Sequence, residues 1–270
     1  MLDYDNLDTH DIQRVQMVRT IIGCKNPIAI TDEMIKWPGF GKWSLNYFEE
    51  KYGQISVSGD RLENGKLVYV HLLFKEYVKY MKNNSDTNPY YAKTCIHLVS
   101  DLQKDYTVPD IFKCWYREYH LGKGIPRKME LSNLYIGPRY ARSKLHCDMW
   151  ATSFWNALFC GRKLWIFIPH EQEQYIYGGQ VDPFFPDYKR FPDYKRVKPQ
   201  WYIQNPGEII FCPGKIWHTA MVLEPSIALS ENLINEDDYE NVKEVFKTEG
   251  YTNALKKLED IVAFQTIMKS

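Results

Sequence analysis

The chain lacks the sequence marks of several protein classes. Its six cysteines stand at 24, 95, 114, 147, 160 and 212 with no CxxC pair, so no disulfide-scaffold rhythm is present and reduced thiols in an intracellular protein are the simplest account. An excess of one charge is missing too: Lys plus Arg and Asp plus Glu both number 34, so no global field marks a nucleic-acid or membrane-surface binder. No apolar run approaches the ~18 residues a membrane span requires. The opening MLDYDNLDTHDIQRVQ is acidic and polar, unlike a secretory signal. A soluble protein of cytoplasm or nucleus is the expectation, with no membrane partner. Linker composition is also absent, so residues 1–270 read as one domain, with helices and strands over 1–130, a barrel core over 131–234 and helices over 235–270.

Aromatic residues, at 15%, are abundant, which suits a β-rich fold. Ile12, Val15, Val18, Ile21 and Ile22 recur at threes and fours, so a helix is expected over 8–24. PIAI reads as a short buried strand. Ser44 is a suitable N-cap for a helix LNYFEEKY that stops at Gly53, followed by strands QISVS and KLVYVHL about a turn at Asn64-Gly65. Phe74, Tyr77, Val78 and Met81 form a second helical stripe. From residue 131 short strands alternate with Gly/Pro turns: LSNLYIG, SKLHCD, SFWNALF, KLWIFIP, GEIIFCPG, IWHTAMVL and SIALSENLI. That texture argues for a barrel or sandwich. FPDYKR occurs twice in tandem at 185–196, either as a duplicated surface loop or as a basic-aromatic lip for a partner.

His146 and Asp148 are two apart, so on an extended segment both side chains point to one face. A His and a carboxylate so placed supply two ligands of a 2-His-1-carboxylate triad, which leaves positions on Fe(II) open for cosubstrate and oxygen. His218, after a Pro-Gly turn, is the candidate third ligand. HxD alone is a motif that chance supplies; its neighbours give it weight. Thr152 and Asn156 share one face of their segment, and Ser226, Ala228, Ser230 and Asn232 share one face of the last strand, so small polar groups line one side. Lys163 falls on the same side as Trp165 and Phe167. A buried ammonium needs a counter-charge, and a ligand that chelates iron at one end and presents a carboxylate at the other, such as 2-oxoglutarate, supplies it. The plainer alternative is a lysine that snorkels to solvent from a strand end.

These residues, within GPRYARSKLHCD, ATSFWNALFCGRKLWIFIP and PGEIIFCPGKIWHTAMVLEPSIALSENL, resemble the JmjC (jumonji) family of Fe(II)- and 2-oxoglutarate-dependent oxygenases, nearest its lysyl hydroxylase and arginine demethylase subgroup. The resemblance extends over roughly residues 25–235. It implies a mainly β fold with flanking helices, a double-stranded β-helix of jelly-roll, cupin-like type. It implies His146, Asp148 and His218 as catalytic iron ligands. Lys163 and Ser230 would hold the distal carboxylate of 2-oxoglutarate, with Asn156, Ser143 and Tyr91 lining the same pocket. Ser143 and Ser230 stand where relatives carry Thr. The implied cofactors are Fe(II), 2-oxoglutarate as cosubstrate and O2.

The implied activity is hydroxylation of a protein side chain, lysyl by preference, with release of succinate and CO2. Hydroxylation of a modified tRNA base, with the FPDYKR repeat holding RNA, is one alternative, and histone or arginine demethylation another. From other classes come a catalytically silent cupin-like binding module and a Zn or Mn cupin that uses no 2-oxoglutarate. Val242, Val245, Phe246, Leu255, Leu258, Ile261, Val262 and Phe264 make the C-terminal helices apolar enough either to pack on their own barrel or to pair two copies as a homodimer.

Overall fold

The computed structural model describes residues 12–63, 66–125 and 131–269. The N-terminal part contributes β1 (Gln13–Val15), β2 (Ile28–Ile30), α1 (Leu45–Tyr52), β3 (Ser56–Glu63), β4 (Lys66–Leu73), α2 (Phe74–Asn83), β5 (Tyr91–Thr94) and α3 (Trp115–Lys123). The core adds β6 (Ser132–Gly137), β7 (Ser153–Ile168), β8 (Gln200–Gln204), β9 (Ile209–Cys212) and β10 (Trp217–Leu233), and α4 (Tyr239–Thr248) and α5 (Thr252–Lys269) follow. The sheet runs β1-β2-β9-β7-β10-β6-β5-β3-β4, with β8 on β7 beyond β9's reach. This is the mainly β, jelly-roll type of fold with flanking helices that the sequence led us to expect.

Two long strands make the barrel. The segments SFWNALF and KLWIFIP, expected as separate strands, are one 16-residue strand, β7, and the last two expected strands are likewise fused into β10. Each long strand serves both halves of the barrel. Residues 154–157 of β7 pair with β9, and residues 163–167 pair with β8. The fusion depends on Gly161. Its φ is +79°, and a Cβ there would stand 2.3 Å from the Pro225 carbonyl oxygen, so only glycine lets β7 cross the irregular stretch of β10.

That irregularity changes which side chains face inward. Before Gly161, Trp155, Ala157 and Phe159 join the core under the N-terminal helices, while Phe154 points into the barrel. After it, Trp165 and Phe167 face the barrel interior, and Leu164, Ile166 and Ile168 turn out to a separate core beneath the loop of residues 169–199. The inward face is therefore even-numbered on one side of Gly161 and odd-numbered on the other.

Two further expectations need correction. The helix over 8–24 does not form within the described part of that range: Gln13–Val15 is a strand paired in parallel with β2. Val15 is β-branched and suits an edge strand, and pairing satisfies β2's outer hydrogen-bonding groups. SKLHCD is not a ladder strand: it meets β10 through the isolated bridge His146↔His218 and hydrogen bonds between Ser143 and Thr219 and Ala220, with a second bridge, Arg142↔Met221, just before it. The Asn64-Gly65 turn lies outside the described residues, and α3 and β8 were not foreseen. By contrast, the Ser44 cap forms, its hydroxyl accepting from the Tyr47 N–H at 3.2 Å, and Phe74, Tyr77, Val78 and Met81 are all buried beneath α2.

The tandem repeat splits in two. Phe191 and Tyr194 of the second copy are buried, while their counterparts Phe185 and Tyr188 in the first are about half exposed. The second copy anchors the loop, so the first is free to face solvent. Val242, Phe246, Leu258 and Ile261 are buried on the chain's own core, and among the described residues no helix is long and apolar enough to cross a membrane.

Phe112 is fully buried, stacked on Trp155 and Phe211 where the helices meet the sheet. Phe112→Ala should cost about 3–5 kcal/mol of stability, whereas Leu121→Ala, at a side chain 74% exposed, should stay within about 0.5 kcal/mol. Urea unfolding of both variants checks this.

Candidate active site

His146 and His218 form a hydrogen-bonded antiparallel pair: His146 N–H donates to the His218 carbonyl at 3.1 Å and His218 N–H to the His146 carbonyl at 2.8 Å. Directly paired residues project to the same side, and the two rings stand 4.4 Å apart, centroid to centroid. A one-turn helix then begins at Met149, and Asp148, its N-cap, turns its carboxylate back toward both rings. Asp148 Oδ1 lies 3.4 Å from His146 Nε2 and 3.7 Å from His218 Nε2. One ligand atom from each residue falls within 4.8 Å of the others.

The remaining atoms of these residues are tied down. His146 Nδ1 lies 2.7 Å from the Lys144 carbonyl and His218 Nδ1 3.0 Å from the Ile216 carbonyl. A carbonyl only accepts, so both Nδ1 atoms carry hydrogen and each ring turns Nε2 to the centre, where it would ligate once unprotonated; at His146, burial is outweighed by Asp148, which raises the pKa. The Asn232 amide donates to Asp148 Oδ2 at 2.8 Å and to Thr152 Oγ1 at 3.0 Å, which leaves Oδ1 facing the histidines. Burial, then the charge of neighbouring His146, push the His218 pKa down to about 4, so its imidazole is neutral and ready to ligate. Burial opposes ionisation of Asp148, but His218, His146 and Asn232 together outweigh it and lower its pKa.

Behind this cluster lies a cavity lined by all eight residues singled out in the sequence: His146, Asp148, His218, Lys163, Asn156, Ser230, Ser143 and Tyr91. The Gly161 irregularity is what brings Asn156 and Lys163 to the same space from opposite parities. Lys163 is 1% exposed. Among the described residues no carboxylate pairs with it; its ammonium lies 5.7 Å from the ring centres of Tyr91 and Trp165 and 6.0 Å from that of Tyr135. Burial alone pushes its pKa down to about 7. The snorkelling alternative is thereby removed. Asn156 Oδ1, also buried, has no hydrogen-bond partner among the described residues. The ammonium fits an anionic ligand, and the Asn156 amide oxygen, an acceptor, is open to a donor in the same cavity.

Two hydroxyls are already engaged. Ser230 Oγ donates to the Trp155 carbonyl at 2.9 Å, and Ser143 Oγ accepts from Ala220 N–H at 3.1 Å. Ser230 therefore has to rotate to donate to a ligand, whereas Ser143 keeps its proton for Thr219 Oγ1, 3.4 Å away, or for a ligand. Tyr135, Phe154, Trp165, Ala220 and Asn232 also line the cavity and were not assigned to it beforehand. Asn232 had been placed on the polar face of its strand, but its tie to Asp148 needs the fold. Tyr135 could have been found from the alternation Leu134, Tyr135, Ile136.

The cupin-like domain family matches residues 14–232, and the chain belongs to that family. It is 28% identical over 236 residues to the lysine-specific demethylase JMJ21 of Arabidopsis thaliana, covering 80% of this chain and 24% of that protein. It is 29% identical over 225 residues to the bifunctional arginine demethylase and lysyl-hydroxylase psr-1 of Caenorhabditis elegans, covering 76% and 55%. Against the 2-oxoglutarate and iron-dependent oxygenase JMJD4 of Mus musculus it is 26% identical over 218 residues, covering 72% and 50%. The chain thus spans from about a quarter to about half the length of these curated relatives. The similarity agrees with the JmjC resemblance.

His146→Ala, which removes one of three ligands, should abolish tight binding of a divalent metal without unfolding the barrel, because its side chain is 40% exposed. Titration with Co(II), followed by absorption, together with circular dichroism, checks both parts.

Proposed function

We propose that the chain is an Fe(II)- and 2-oxoglutarate-dependent oxygenase, acting as one domain, that hydroxylates a protein side chain, lysyl by preference. The observation that carries this reading is Lys163, a buried ammonium with no carboxylate partner among the described residues, opening onto the same cavity as a three-ligand metal cluster. A silent binding module has no need to keep both. A metal cupin without 2-oxoglutarate has no use for Lys163.

His146, Asp148 and His218 would hold the iron, with Lys163, Asn156 and Ser143 on the 2-oxoglutarate. Iron, oxygen and 2-oxoglutarate together supply the oxidising chemistry, with succinate and CO2 released. The protein's share is placement. The Nδ1–H contacts hold both imidazoles in one tautomer, and Asn232 keeps one carboxylate oxygen turned to the centre. Phe154 and Trp165 pack about His218 and exclude water. Side-chain exposure rises from 5% at His218 through 17% at Asp148 to 40% at His146, so a substrate side chain would enter on the His146 side. No protein nucleophile is required.

A protein substrate is favoured by the names of relatives, which refer to lysine, lysyl or arginine. Demethylation differs only in the carbon presented, since a hydroxylated N-methyl group collapses to the amine. RNA held by the exposed Phe185 and Tyr188 is the second substrate class. Exposed Leu121, Ile267 and Met268 on α3 and α5 favour a second copy as a partner. Light scattering over a range of concentrations should show mass rising toward the dimer, and a monomer throughout would remove that part.

The functional test is succinate release with Fe(II), comparing lysine-rich peptides, methylated arginine peptides and RNA. Stimulation by the lysine peptides with a product one oxygen heavier is expected; no turnover and no 2-oxoglutarate binding would defeat the proposal. Lys163→Ala should weaken 2-oxoglutarate binding on the order of 100-fold, the scale for removing one partner of a buried charge pair, while metal affinity holds.

The binding should also depend on pH. Burial sets the Lys163 amine's pKa at about 7, and a bound carboxylate would raise it by favouring the charged form. Above that pH binding must take up a proton, so affinity should fall as pH rises from 7 toward the ligand-bound value, by at most about tenfold per unit. Calorimetry in buffers of different ionisation enthalpy measures the proton directly.

A further inference from the structure

Among the described residues five non-glycine positions have a left-handed φ, and three of them meet at one junction: Trp150 (60°), Ala151 (54°) and Lys215 (66°). Such conformations cost about 1–3 kcal/mol each and persist only where the surroundings over-determine them. Trp150 and Ala151 follow Asp148 by two and three residues, and Lys215 precedes His218 by three. Both turns that deliver metal ligands are therefore strained.

What holds them comes from beyond residue 232, where the family match ends. Asp238, 1% exposed, accepts from Ser153 N–H at 2.8 Å and from Ser153 Oγ at 2.6 Å through the same oxygen, Oδ1. Ser153 Oγ accepts in turn from Gly214 N–H at 3.0 Å. One carboxylate thus ties the segment after Asp148 to the turn before His218. The fit is close, because a Cβ on Gly214 would lie 2.2 Å from the Ala151 carbonyl oxygen and 3.2 Å from Asp238 Oδ1. Asp238 Oδ2 accepts from Asn235 N–H at 3.3 Å, and the Asn235 side-chain oxygen accepts from the Asp237 and Asp238 N–H groups. Four residues into α4, Val242 is buried, and Phe246 meets Trp150 edge to face at 5.0 Å.

Among the described residues Asp238 makes no salt bridge, although burying a carboxylate costs more than burying an amide. Its return is a set of charge-assisted hydrogen bonds, stronger than an amide oxygen would make. We infer that Asp238 is a positioning residue for the metal centre: through Ser153 and Gly214 it holds the two strained turns in the arrangement that converges Asp148 and His218, so the C-terminal helices complete the site.

This rests on the metal-site reading, and Co(II) titration of the full chain separates the two. Wild type should bind Co(II) with d–d absorption bands of a defined site. Asp238→Ala should weaken binding by about 10–100-fold, the usual scale for outer-shell partners, and should shift or weaken the bands. Asp238→Asn, which keeps an acceptor, should recover part of both. As a control, Asp105→Ala removes a buried carboxylate bound to Lys42 and Trp43 in the helical core, and should lower thermal stability without altering the Co(II) spectrum. If Asp238→Ala does not fold, Ser153→Ala carries the same test with only a hydroxyl lost. Wild-type affinity and spectrum in the folded alanine variant would overturn the inference. Failure of wild type to bind Co(II) would overturn the metal reading and this inference with it.

Discussion

The pair of backbone hydrogen bonds between His146 and His218 is the constraint from which the rest of the site follows. It joins a segment with little other strand pairing to the long strand β10, and it fixes two imidazoles on one side at contact distance. With the rings so placed, a carboxylate two residues after His146 can reach both of them. Each ring then needs its second nitrogen occupied, and the carbonyls of Lys144 and Ile216, each two residues earlier in the chain, supply this. The centre is assembled from local chain geometry once that one long-range pair exists.

The second determinant is Gly161. Without a change of facing within β7, Asn156 and Lys163 would lie on opposite sides of the sheet, and no single cavity could use both. Glycine is required there by the approach of the Pro225 and Glu224 carbonyls. The same residue thus explains the fold's fusion of two strands into one and the meeting of an amide with an ammonium. A break expected in the fold turned out to be what builds the site.

Much of this was legible in the sequence, for physical reasons that differ by element. The helix at Ser44 and the stripe of α2 were readable because capping and 3.6-residue periodicity are local. His146 and Asp148 were readable as a pair because they share one segment, and Lys163 because its charge contradicts its aromatic neighbours. The N-terminal strand was misread since its Ile and Val spacing also fits a helix, and only β2, more than ten residues on, decides between them. Asn232 and Asp238 were missed as supports of the centre for a similar reason. Each acts across the barrel on residues about 85 positions away in the chain, and nothing local to Asn or Asp announces it.

The composition of the cavity argues against a merely structural role. A protein interior ordinarily pairs its polar groups, and an unpaired one lowers stability. Among the described residues the buried Lys163 has no carboxylate partner and Asn156 Oδ1 no hydrogen-bond partner, and His218 is buried as a neutral ring, all in one space. Leu or Met at 163 would pack against Tyr91, Tyr135 and Trp165 at lower cost. The chain retains the costly choice where metal-ligating nitrogens and a carboxylate already converge. A ligand that brings its own negative charge would give the Lys163 ammonium a counter-charge, and a donor on that ligand or a turned Asn156 amide would pair Oδ1.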